Sequence, residues 1–190
     1  SAGGREVPTG YKVVADAIWP HVRSHLEANS GTYNVVTFCG HSRGGAISVI
    51  LGMLYEHYKQ PSWPRFHVVT LGQPPIIGAA SVNSMRAFPL LRITHAHDPV
   101  PGAAGAYYHA AEALHFKRGQ IGVPHIRGFE DPPLDCGGGA FLGCGVCIIS
   151  TLDRLIVGGS VSDDHQTTHY LEHMVKFTKD QDPNFRTLWN

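Results

Sequence analysis

An α/β fold, a mostly parallel sheet with helices on both faces, is predicted for this chain by three observations. Short apolar runs rich in strand-forming residues recur at 33–39, 65–72 and 90–98. Segments with helical apolar spacing lie before and between them. The strand runs are continuously apolar rather than alternating, as in strands buried on both faces of a parallel sheet.

Residues 11–28, YKVVADAIWPHVRSHLEA, place Val14, Ile18, Val22 and Leu26 at helical spacing, with Pro20 expected to kink or break the helix. YNVVTFC (33–39) is the first strand. Residues 44–59 then carry Ile47, Ile50, Leu51, Leu54, Tyr55 and Tyr58, the apolar stripe of a helix lying on the sheet. RFHVVTLG (65–72) is a second buried strand, GAASVNSMRAF a short helix, LLRITHAHD (90–98) a third strand and ALHF (113–116) a fourth. Residues 119–147 are rich in Gly and Pro and read as a long surface loop; 166–177 are helical in pattern. No internal repeat or linker divides the 190 residues, so a single domain is expected.

Charge narrows the partners. Fifteen Lys and Arg balance fifteen Asp and Glu, and no basic cluster is interleaved with aromatics. Neither nucleic acid nor an anionic membrane surface is therefore indicated. No apolar run approaches the ~20 residues of a membrane-spanning helix. The start, SAGGREVPTG, is neither a signal peptide nor an initiator Met, and the expectation is a soluble, processed chain.

Three of the four cysteines, Cys136, Cys144 and Cys147, crowd into DCGGGAFLGCGVC. Cys144 and Cys147 have the spacing of half a zinc site, but no second half follows, and His125 and His165 lie at irregular distances. A disulfide from Cys136 to Cys144 or Cys147 is the better reading, and it favours an extracellular setting; free thiols in a cytosolic protein are the alternative. Cys39 reads as a small buried hydrophobe in a strand.

Between the first strand and its helix lies GHSRG, Gly40 to Gly44, a G-x-S-x-G pentapeptide. A serine there caps the helix, binds a phosphate through its hydroxyl, or is a nucleophile lifted clear of the sheet. For a nucleophile the turn is so tight that the residues two before and two after the serine must be small, hence both glycines, and the first helical amides point at the same space. A nucleophile needs a histidine base and a carboxylate to orient it, in the chain order Ser, acid, His. Asp98 lies just past an apolar strand, with Pro99 and Pro101 ending the pairing. His165 lies in SDDHQTTHYL before the last helix, with His169 and His173 as competitors. His95, His97 and His109 read as structural or rim histidines, and Asp163 and Asp164 as a solvated turn.

The pieces YKVVAD, VTFCGHSRGGAISVI, VVTLGQPPIIG, RITHAHDPVPG, the later Tyr108-His109 and DHQTTHYL, in this order over about residues 7–175, resemble the class three lipase family of α/β-hydrolases, which includes the filamentous fungal triacylglycerol lipases. The resemblance implies an α/β-hydrolase-type sheet and a serine ester hydrolase acting on acylglycerols through an acyl-enzyme, without metal or cofactor. It implies Ser42 as nucleophile, Asp98 as acid, His165 as base and the Arg43 amide as an oxyanion donor.

Two departures stand out. Arg43 replaces the Leu common after the serine in the family. The chain also starts where family members already have early strands, a lid and a side-chain oxyanion donor behind them. Losing such a donor costs on the order of 3 kcal/mol of transition-state stabilisation. The expectation is therefore a C-terminal portion of a larger catalytic domain, completed by an N-terminal partner chain, with a lipid interface as a further contact. The rival reading is a lipase-like scaffold that binds a protein or lipid without catalysis.

Overall fold

The computed structural model describes residues 1–103, 105–117, 124–127 and 164–180. Helix α1 (Thr9–Ala28) precedes strand β1 (Val35–His41), helix α2 (Arg43–Tyr58) and strand β2 (Arg65–Leu71). The short strand β3 (Ile77–Gly78) and a 3-10 helix (Ala79–Met85) lead to β4 (Leu90–His95). Then come β5 (Tyr107–Tyr108), β6 (Ala113–Phe116), β7 (Pro124–Arg127) and helix α3 (Thr167–Asp180). The main sheet has the order β1-β2-β4-β6-β7. Its first four strands are parallel, and β7 closes it antiparallel to β6, inside the segment read from sequence as a loop. The β3–β5 ribbon, also antiparallel, was not visible in the sequence pattern. Its strands are too short to show a period.

Helices α1 and α2 cover one face and α3 the other. The larger core joins Trp19, Phe38, Ile50, Tyr55, Trp63, Phe66 and Val68 on the α1–α2 side. The smaller one gathers Leu71, Ile93, Phe116 and Tyr170 under α3. This two-sided cover explains three differences from the sequence reading. Helix α2 shows no stripe, because Ser48 to Tyr55 are buried on every side between sheet and α1. Its Gly52 allows the closest approach, since a Cβ there would lie 2.6 Å from the Val68 side chain.

In α1 the inward face is Ala15, Trp19 and Leu26, with Tyr11 and Val22 beside them, whereas Val14 and Ile18 face solvent. Trp19 sets that rotation by stacking on Tyr58 at 5.8 Å and meeting Trp63 edge-on at 6.2 Å. Pro20 sits inside the continuous helix. Strand β1, finally, is half-exposed. Only Phe38 is buried, and Val35 and Cys39 are open to solvent. Among the described residues β1 pairs on one side only, and the α3-side cluster draws on β2, β4 and β6 without reaching it.

Candidate active site

The parallel strands deliver their carboxyl ends to one edge, and the residues singled out in the sequence collect there. The turn after β1 holds Ser42 at φ 55° and ψ −126°, a left-handed conformation that side-chain-bearing residues adopt only when the surroundings enforce it. The Ser42 amide donates to the Leu71 carbonyl at 2.8 Å, and its own carbonyl accepts from the amides of Gly45 and Ala46, starting α2. Its hydroxyl makes no capping bond to the helix. The capping role weighed above therefore has no support in the geometry, and the side chain is left unused by the fold.

The two glycines of the pentapeptide differ. A Cβ on Gly40 would lie 2.3 Å from the Gly44 backbone, so only glycine fits. At Gly44 a Cβ would meet nothing within 4 Å, which corrects the expectation that both positions must be small. Gly40→Ala is expected to destabilise by ~3 kcal/mol or more. Gly44→Ala, in the first turn of α2, is expected to be neutral or to stabilise by up to ~1 kcal/mol. Urea denaturation midpoints of the two variants check this contrast.

Asp98 is completely buried beyond the end of β4. Its Oδ1 accepts from the Val100 amide at 2.9 Å, and its Oδ2 accepts from His165 Nδ1 at 2.8 Å and from the Tyr170 hydroxyl. Burial and the neighbouring Asp98 carboxylate hold the Tyr170 hydroxyl well above its ordinary pKa, so it remains a donor. Gly72, at φ +57°, lets the β2 end pass beside this cluster: a Cβ there would come within 2.7 Å of Asp98 Oδ2 and 2.9 Å of the Tyr170 hydroxyl. Ala96, also left-handed at φ 42°, makes the tight turn that presents Asp98, whose amide donates back to the His95 carbonyl.

His165 commits Nδ1 to Asp98, and its Nε2 is buried without a hydrogen-bond partner. His41, next to Ser42, lies against the His165 ring with centroids 4.5 Å apart. Burial, followed by the nearby His165, pushes the His41 pKa down. The other two histidines near the chain end point elsewhere: His169 stacks on His95 and His173 packs between His95 and Phe116. Arg43 is exposed, and its charge offsets part of the rise that burial causes in the Tyr11 hydroxyl.

His95 is buried, and the His97 side chain is largely exposed. Asp164 is buried rather than part of a solvated turn, because its carboxylate accepts from the His97 amide at 3.3 Å under the end of β4. Asp163, Cys136, Cys144 and Cys147 lie outside the described residues, and the disulfide expectation with them. Tyr170 and Gly72 were missed as site residues. The signal for Tyr170 was its place in the first turn of a helix that follows a candidate base. Among the described residues no group of three or more His, Cys, Asp or Glu side chains could hold a metal ion. No helix among them is long and apolar enough to cross a membrane.

His109 has an acid-sensitive setting of its own. Its Nε2 donates to the Pro101 carbonyl at 2.7 Å, while Nδ1 is shut off from solvent. Burial first, and then the Arg92 charge, push its pKa down from 6.5 to about 3. Between those values the unfolded chain binds a proton that the folded chain refuses. The stabilisation is thus complete above pH 6.5 and is lost as pH falls towards 3. The loss from this group is expected to be roughly 2–4 kcal/mol, discounted because part of the side chain still reaches water. His109→Gln, which keeps the donor to Pro101, is expected to flatten that part of a Tm-against-pH curve.

The fold is shared with lipases. Rhizomucor miehei lipase in its propeptide complex is 25% identical with a TM-score of 0.51, over 59% of this chain and 39% of that one. Lip2 lipase from Yarrowia lipolytica is 26% identical with a TM-score of 0.51, over 63% and 46%. The MDLA protein of Penicillium cyclopium, 21% identical, shares the fold with a TM-score of 0.57 over 74% and 58%. The chain thus spans less than two-thirds of the length of each of these structures. No curated protein matches it. Residues 7–108, just over half of the chain and including GHSRG and the turn bearing Asp98, match the family described as Lipase (class 3). With its parallel sheet and its serine in a strained strand-to-helix turn, the chain belongs to the class 3 lipase family.

Proposed function

We propose that the chain carries the nucleophile, acid and base of a serine carboxylic-ester hydrolase acting on acylglycerol lipids. The observation that carries this reading is the buried His165–Asp98 pair, 2.8 Å from Nδ1 to Oδ2, with the His165 Nε2 lone pair uncommitted at the edge where Ser42 is held. In the proposed cycle His165 Nε2 takes the Ser42 proton as Oγ attacks the ester carbonyl. The imidazolium so formed is stabilised by Asp98, and the tetrahedral oxyanion is held by the Arg43 amide at the start of α2. The proton passes from His165 to the departing alcohol. Water, deprotonated by His165, then attacks the acyl-Ser42 carbonyl; the bond to Ser42 Oγ breaks as His165 returns the proton to it, and the fatty acid is released.

The substrate class rests on family membership and on the lipases among the structural neighbours. In this reading residues 1–190 form one α/β-hydrolase domain portion. An N-terminal partner chain adds to the open edge of β1 and supplies a further oxyanion donor, and the protein works outside the cell at a lipid interface. The half-exposed β1, with one side unpaired among the described residues, supports the added strand. The test is covalent labelling by a fluorophosphonate ester probe. Labelling at Ser42 that disappears in Ser42→Ala is the expected result, and absence of labelling in the parent chain points to a scaffold without catalysis.

A further inference from the structure

The segment that carries the base is held by two other histidines. Helix α3 begins at Thr167, and the first carbonyl drawn into its turns is that of Gln166, which accepts from the His169 amide. The carbonyls of Asp164 and His165 lie just before that point and need donors from elsewhere. They find them on two strands. His41 Nε2, at the end of β1, is 2.7 Å from the His165 carbonyl. His95 Nδ1, at the end of β4, is 3.1 Å from the Asp164 carbonyl. A carbonyl only accepts, so each ring donates, which fixes the tautomers: the proton sits on Nε2 of His41 and on Nδ1 of His95. The low pKa of His41 agrees with a neutral ring.

We infer that His41 and His95 are positioning residues, a pair of N–H donors that clamp two consecutive peptide carbonyls and so hold the His165 ring at hydrogen-bonding distance from Asp98. The inference rests on the reading of His165 as the base. The two anchors come from β1 and β4, which are not neighbours; β2 lies between them and places Gly72 directly under the Asp98–Tyr170 contact. The His97 amide adds a third tie to the Asp164 carboxylate. The base segment is thus referenced to the same strand ends that present Ser42 and Asp98. Side-chain packing alone would leave the peptide free to slide, and a displacement of about 1 Å at a reacting group costs on the order of 100-fold in rate.

The test compares substitutions of equal size that differ in donor capacity. His41→Gln retains an N–H where Nε2 lies and His41→Met does not; His95→Asn retains one where Nδ1 lies and His95→Leu does not. Each is assayed on a soluble ester well below its own Tm. The expected result is a kcat lowered ~10-fold or more in His41→Met and His95→Leu with KM within about twofold, and recovery to within about threefold of the parent in His41→Gln and His95→Asn. Equal losses in both members of a pair would mean that ring packing matters rather than donation, and would overturn the clamp. So would kcat values unchanged in Met and Leu.

A second readout does not need turnover. The strongly downfield proton of the His165 Nδ1–H···Asp98 bond is expected to persist in the Gln and Asn variants and to be lost in the Met and Leu variants. Its persistence in all four overturns the clamp. An active Ser42→Ala would remove the catalytic reading instead, while this resonance still decides whether the clamp exists.

Discussion

Ser42→Ala is expected to lower ester hydrolysis by ~10³-fold or more, with Tm and the far-ultraviolet circular dichroism unchanged. Both halves follow from the turn. The Ser42 hydroxyl makes no capping bond, so its removal orphans no buried partner and costs less than the ~1 kcal/mol typical of a lost cap. The strained backbone at φ 55° is enforced by the amide bond to Leu71 and by the Gly40–Gly44 approach, neither of which involves the side chain. The hydroxyl is thus dispensable to the fold, as the proposed role of nucleophile requires. Activity within tenfold of the parent would remove Ser42 as the nucleophile.

His165→Ala should be nearly as inactive as Ser42→Ala, and the double variant little worse than either, because a nucleophile and its base act as one unit. The loss follows from position: the His165 ring bonds Asp98 and leaves Nε2 uncommitted, whereas His169 stacks on His95 and His173 on Phe116. His169→Ala is therefore expected to keep most of the activity together with the acidic limb of kcat/KM, the fall that accompanies protonation of the base. A dead His169→Ala beside an active His165→Ala would move the base one turn along the chain and leave the 2.8 Å pair with Asp98 as a structural contact only.

Much of this architecture was legible because it is locally encoded. The strand at Ala113–Phe116, the strand–turn–helix around Ser42 and the Asp98 position after an apolar strand each follow from a period or a turn signal within a few residues. The family resemblance was carried by the same short pieces.

What the sequence could not decide lies in contacts between distant segments. Whether α2 shows a stripe depends on whether α1 covers its outer side, and the inward face of α1 depends on Trp19 meeting Tyr58 and Trp63. Cys39 and Val35 are exposed because β1 pairs on one side only among the described residues, although the run reads like an interior strand. Of three histidines in one short segment, the docking of α3 on β4 brings His165 to Asp98 across 67 residues, with Tyr170 on the same oxygen. Periodicity specifies which face of an element is apolar. The register of the parallel strands and the seating of the helices, set by packing over the whole sheet, specify which polar atoms end up within 3 Å of one another.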